Sequence, residues 1–132
     1  PLSSMHHYLS MAKGNYKAYL MGQKVKIKKY FYVLRPIFAC MWIEKYRTMP
    51  PMEFEKLLAG QQLNDRVVNE VQKLLERKRS GEELDEENRI EILNHFLEEK
   101  IKYFEDYAKK LGNRQHSQVD LLDGLFRDTL RV

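Results

Sequence analysis

The chain has 132 residues, 43% apolar and 32% charged, with a formal net charge of +4. This composition fits one globular domain with its own core and excludes a disordered segment. No stretch approaches the ~20 apolar residues that span a bilayer, no signal peptide is visible, and a single cysteine, Cys40, excludes an internal disulfide framework and points to a reducing compartment, the cytoplasm.

Helical spacing dominates and no two-residue alternation stands out. A first helix is predicted from Ser4 to Met21, ending near Gly22, with Leu9, Ala12, Tyr16, Tyr19 and Leu20 as its apolar stripe. The second, Val25 to Tyr46, is apolar nearly all round from Tyr30 to Ile43 and is expected to be the central buried element, kinked at Pro36. Pro50-Pro51 breaks the chain, and a short third helix is predicted from Pro51 to Leu58. The fourth runs from an Asn64 cap to Arg79, with Val67, Val68, Val71, Leu74 and Leu75 on one face. Residues 82–88 form an acidic connector. A fifth helix is predicted from Glu86 to Leu111 with Gly112 as its stop, and a sixth from Ser117 through Leu130, using Val119, Leu122 and Phe126. The expected architecture is all-α, a single antiparallel bundle of five to six helices.

Charge is unevenly distributed. Residues 1–49 hold nine Lys or Arg against one acid, Glu44, and contain six of the eight tyrosines; the remaining residues hold 14 basic and 18 acidic groups. A basic, tyrosine-rich segment suits a phosphate-bearing ligand, since cations neutralise phosphate and rings offer stacking faces. It equally suits a solvated basic helix face. Lys28, Tyr32, Arg35, Ala39 and Trp42 recur at four- and three-residue steps and share one face. Arg35 is the only charge between Tyr30 and Ile43, and a buried charge requires a partner or a ligand. Two readings stand here: Arg35 pairs with an acid of a later helix, or it lines an anion-binding cleft with Lys28, Lys29 and Tyr32.

The run from His7 to Tyr16 (His7-Tyr8-Leu9-Ser10-Met11-Ala12-Lys13-Gly14-Asn15-Tyr16), then Lys28-Lys29-Tyr30-Phe31-Tyr32-Val33-Leu34-Arg35-Pro36, Ala39-Cys40-Met41-Trp42-Ile43-Glu44, Pro50-Pro51-Met52-Glu53-Phe54 and the closing Leu125-Phe126-Arg127 resemble the C-terminal helical half of a family of bacterial and phage predicted nucleotidyltransferases. These belong to the polymerase-β superfamily and include its RNA-ligase-associated, RNA-repair group. The resemblance is strongest from His7 to Phe54. It implies a helical domain that packs against a catalytic nucleotidyltransferase domain upstream of Pro1 and closes its cleft, with a nucleoside triphosphate and RNA as ligands and Mg²⁺ at the catalytic half. By that similarity His7, Lys13, Tyr16, Lys28, Lys29, Tyr32 and Arg35 are the candidate nucleotide- and RNA-binding residues. The superfamily's catalytic half needs a Gly-Ser turn followed by paired strand carboxylates for two metal ions. No such pattern occurs in this sequence, so neither a catalytic residue nor a metal ligand is assigned.

Other signals are weaker. Asp85 and Glu87 sit in the acidic connector and read as solvated groups. Adjacent His6 and His7 on a helix point in different directions, which disfavours a chelate. Cys40 lies in an apolar run and reads as a small core residue. Arg89 followed by His95 resembles the nuclease motif of HEPN-type helical domains, with His95 as general acid or base and Arg89 steadying the phosphate. A purely structural or dimerising bundle is a third alternative.

Overall fold

The computed structural model describes the backbone of residues 2–130 and the side chains of residues 3–111. The chain begins with α1 (Leu2–Tyr19). Met5, Leu9, Ala12, Tyr16 and Leu20 recur at three- and four-residue steps and are all buried. A strict count along that stripe leaves Tyr19 on its flank, and Tyr19 is 41% exposed, not part of the core as its apolar character suggested.

The segment expected to open the second helix instead forms a strand, β1 (Lys24–Lys26), followed by a 3-10 turn (Ile27–Lys29). β1 pairs antiparallel with β2 (Glu86–Asn88), setting Lys24 opposite Asn88, Val25 opposite Glu87 and Lys26 opposite Glu86. Val25 is buried between two exposed lysines. Backbone bonds from Ile27 to Asp85 (3.1 Å) and from Lys28 to Leu84 (3.4 Å) extend the pairing. Three residues of alternation are too few to read in one sequence, and the ladder partner lies 60 residues away, which is why helical periodicity overran the true boundary.

The central element is α2 (Tyr30–Tyr46), whose buried residues include Tyr30, Leu34, Ile37, Phe38, Cys40 and Ile43. Pro36 sits within it and has no N–H for the Tyr32 carbonyl one turn earlier. The Asn15 side-chain amide of α1 donates to that carbonyl at 3.1 Å, replacing the lost helical bond. α1 and α2 are thus stitched together beside Tyr32.

α3 (Phe54–Ala59) starts three residues later than Pro51. Glu53 is extended at its N-terminus, and the Met52 carbonyl is held by Arg35 rather than by a helical turn. α4 (Asp65–Arg79) is capped as expected, Asn64 Oδ1 accepting from the Arg66 N–H at 2.8 Å. The last helix, α5 (Glu91–Leu130), begins after β2 and runs through Gly112 without the predicted stop; glycine in a helix interior costs only ~1 kcal/mol. The side chains assigned to a sixth helix, and Leu125-Phe126-Arg127, lie outside the described side chains. The fold is helical apart from the two short strands, and no described helix is long and apolar enough to cross a membrane.

One polar hub joins these pieces. Asn94 of α5 is the buried polar residue of the described core. Its Oδ1 accepts from the Tyr30 hydroxyl, and its amide donates to Leu20 O at 2.9 Å and to the Tyr16 hydroxyl at 3.3 Å. The Tyr30 oxygen in turn accepts from the Ile90 N–H at 2.7 Å. Burial raises the Tyr30 pKa to about 12 and also raises that of Tyr16, so both stay neutral and available for these bonds.

Candidate functional site: a cation and aromatic surface on α1 and α2

Because α2 lies against α1, the residues they leave outward form one surface. Tyr19 near the end of α1 meets Tyr32 of α2 edge-to-face, with ring centroids 6.3 Å apart. The Lys29 ammonium stands 4.3 Å from the centroids of both rings. Three residues beyond Tyr32, Arg35 is exposed, donates Nη1 to Met52 O at 2.6 Å, and lies 5.5 Å from the Phe54 ring centroid. Neither Lys29 nor Arg35 forms an ion pair among the described residues. The expectation that Arg35 pairs with an acid of a later helix is therefore replaced. A peptide carbonyl and a ring hold the guanidinium, and because the α2 stripe of Tyr32 and Arg35 faces outward, the charge carries no burial penalty.

The seven candidates divide among different surfaces. Lys29, Tyr32 and Arg35 come together. Lys28 points instead into a cavity of about 350 Å³ lined by Lys26, Glu83, Leu84 and Asp85. Lys13 lies on the α5 side of α1 and pairs with Glu105 at 2.7 Å; it lines a separate cavity of about 300 Å³ with Lys17, Glu98 and Lys102. Tyr16 is buried, its hydroxyl engaged by Asn94 in the core hub, and it also lines the Lys13 cavity. His7 is exposed on α1, its ring 5.8 Å from that of Tyr8. Two members of the surface were missed as site residues, Tyr19 and Asn15. The signal for both was present: Asn15 and Tyr19 are four apart and flank the Ala12–Tyr16–Leu20 core line.

The remaining chemical signals are accounted for. The Cys40 thiol is buried and pushed up to about 12 by burial, with Glu44 adding to the shift, so it is no nucleophile near neutral pH. Glu87 is held below its usual carboxylate range chiefly by hydrogen bonds from Arg77. Arg77 bridges Glu82 at 2.5 Å and also clasps Glu87, tying β2 to α4. Arg89 pairs with Glu91 at 2.6 Å and donates to Met21 O at 3.4 Å. His95 pairs with Glu99 at 3.1 Å in a cavity of about 390 Å³ lined by Arg66 and Phe96, with no lining contribution from Arg89. Glu91 pairs with Arg89 and also lines the His95 cavity, but Arg89 itself does not line it. Among the described residues no group of three or more His, Cys, Asp or Glu side chains is placed to hold a metal ion.

A helical bundle with an outward cation and tyrosine cluster is the class of protein that fold and surface define. Its family follows from comparison: residues 1–128 match the model of the RlaP family, described as the RNA repair pathway DNA polymerase beta family, and the chain belongs to that family. It is similar to "Uncharacterized protein YcgL" of Bacillus subtilis (strain 168), with 47% identity over 130 residues, covering 98% of this chain and 50% of that protein. The chain thus spans about half the length of this curated relative. No solved structure matches it.

Proposed function

We propose that this chain is a substrate-binding helical domain of a polymerase-β-type nucleotidyltransferase of RNA repair, acting in the cytoplasm and inactive by itself. Its Lys29–Tyr19–Tyr32–Arg35 surface receives a phosphate-bearing ligand, a nucleoside triphosphate or an RNA end. The catalytic carboxylates and the Mg²⁺ they bind would belong to a nucleotidyltransferase domain in the same longer protein. The observation that carries this reading is the pair of cations, Lys29 and Arg35, held at fixed positions by rings and a carbonyl and matched by no carboxylate among the described residues. A held but unneutralised cation can bind phosphate without first breaking an ion pair, and tyrosine rings beside it give a base a stacking face. Support from outside the geometry is membership of a family described by RNA repair and polymerase β.

The test is binding of ATP and of a fluorescent single-stranded RNA to the chain, wild type against Lys29→Gln and Arg35→Gln. Each substitution is expected to weaken binding by roughly tenfold, and wild-type affinity is expected to fall steeply with salt. Unchanged affinity in the double variant would remove the proposal. In the longer protein the same substitutions are expected to reduce Mg²⁺-dependent nucleotide transfer.

A further inference from the structure

At the opposite end of α2, on the order of 25 Å from Lys29 by helical rise, a further cavity opens between the end of that helix and α5. It has a volume of about 260 Å³ and is lined by Arg47, Tyr107, Lys110 and Leu111. Among the described residues, two cations, one phenol ring and one apolar side chain line it, and no carboxylate does. The other cavities described above all include acidic lining residues.

Arg47 is unusual in its backbone. It closes α2 with φ 58 and ψ 26, its N–H donating to Ile43 O at 2.9 Å. It is the non-glycine residue with positive φ among those described. This left-handed closing position is the one at which helices usually place glycine, because a Cβ is strained there. Among the described residues no hydrogen bond or ion pair uses the Arg47 guanidinium. Its neighbours are all engaged: Lys45 Nζ donates to Gly60 O at 3.4 Å, the Tyr46 hydroxyl donates to the same oxygen at 3.0 Å, and Thr48 Oγ1 accepts from Trp42 Nε1 at 3.1 Å. Arg47 makes no side-chain hydrogen bond or ion pair among the described residues, and neither does Lys110. A non-glycine residue in this backbone conformation, with no polar partner for its side chain among the described residues, leaves its guanidinium available to a ligand.

The ring across from it is fixed. Tyr107 stacks on Tyr103 with centroids 6.2 Å apart and planes 20° from parallel, and also meets the Phe104 ring at 6.3 Å. Tyr103 is anchored by donating its hydroxyl to Glu44, the sole acid of residues 1–49. The result is a positively charged cavity with a pre-oriented aromatic wall, the combination that recognises a phosphate carried beside a base.

We propose that the Arg47–Tyr107–Lys110 cavity is a second nucleotide-phosphate site. Arg47 and Lys110 bind the phosphate, and Tyr107 takes the base or ribose against its ring. The site is separate from the Lys29 surface and does not depend on it. The phosphate has two sources with the same chemistry, a free nucleotide or one nucleotide of a single-stranded RNA.

The experiment measures binding of AMP and, separately, of a fluorescent single-stranded RNA to the full chain. Wild type is compared with Arg47→Gly, Lys110→Gln and Lys29→Gln. Arg47→Gly is informative because glycine relieves the backbone strain, so its melting temperature is expected to be unchanged or higher while ligand affinity falls. Roughly five- to tenfold weaker binding in both Arg47→Gly and Lys110→Gln is expected. A loss with AMP identifies a free-nucleotide site, and a loss with RNA alone identifies a strand contact. Wild-type affinity for both probes in Arg47→Gly and Lys110→Gln would overturn the proposal even if Lys29→Gln weakens binding, which is how its failure differs from failure of the Lys29 surface.

Discussion

Of the nine Lys and Arg in residues 1–49, Lys13 alone has an acidic partner among the described residues, whereas between residues 50 and 111 Lys56, Lys73, Arg77, Arg79 and Arg89 each have at least one. The two regions use the same side chains for different ends. In the later region cations hold connections in place: Arg77 ties β2 to α4, and Arg79 ties α4 to Glu55 of α3. In the first region the scarcity of acids leaves cations resting on rings and carbonyls, as Lys29 and Arg35 do. Pairing with a carboxylate fixes a loop but cancels the field; resting on a ring or carbonyl fixes the cation and keeps its charge directed outward.

The sharpest way to break this comparison is at the seam between the regions, the Asn94 hub. Replacing Asn94 with Leu removes bonds to Tyr16, Leu20 and Tyr30 at once and strands buried polar groups. A loss of about 3 kcal/mol is expected, read as a fall in melting temperature on the order of 10 °C. Next comes Gly60→Ala. A Cβ there would stand 2.4 Å from the Trp42 ring, and the indole is held by its bond to Thr48. About 1–3 kcal/mol of destabilisation is expected in urea unfolding.

A smaller effect separates the two uses of charge. The Arg77 hydrogen bonds depress the Glu87 pKa, so their contribution to stability is present above the ordinary carboxylate range and is lost as pH falls through the depressed value. Both side chains are partly exposed, and solvent limits the contribution to ~1 kcal/mol or less. The stability difference between wild type and Arg77→Gln is expected to vanish on acidification; a difference that persists in acid would show that the clasp is not the source. The smallest stability effect belongs to Lys29→Gln with Arg35→Gln, within ~0.5 kcal/mol. The same double variant is expected to reduce the dependence of log affinity for RNA on log salt by roughly 2 if each cation meets one phosphate. A large loss of stability instead would mean that the first region's cations serve the fold.

Much of the fold was legible because its long elements carry strong local signals. The Asn64 cap and the Val67–Val71–Leu74 face marked α4 within a residue, and the apolar run from Tyr30 to Ile43 marked α2 as the central helix. The candidate site was legible only in part. Helical spacing groups Tyr32 and Arg35 with Lys28, but Lys29, on the 3-10 turn before α2, takes that place, Tyr19 and Asn15 join through the packing of α1 on α2, and Lys13 and Tyr16 face elsewhere for the same reason.

The sequence by itself determined the helical class, the basic and tyrosine-rich character of the first third, and the acid-poor setting in which its cations sit, because periodicity and composition are properties of neighbouring residues. Only the tertiary structure decided that Lys24–Lys26 is a strand, that Asn15 replaces the bond Pro36 cannot make, and that Lys29 and Arg47, each without an ion pair among the described residues, stand at two separate places. Those outcomes depend on partners distant in sequence, between 10 and more than 60 residues away, and no local pattern encodes which distant group a donor will meet.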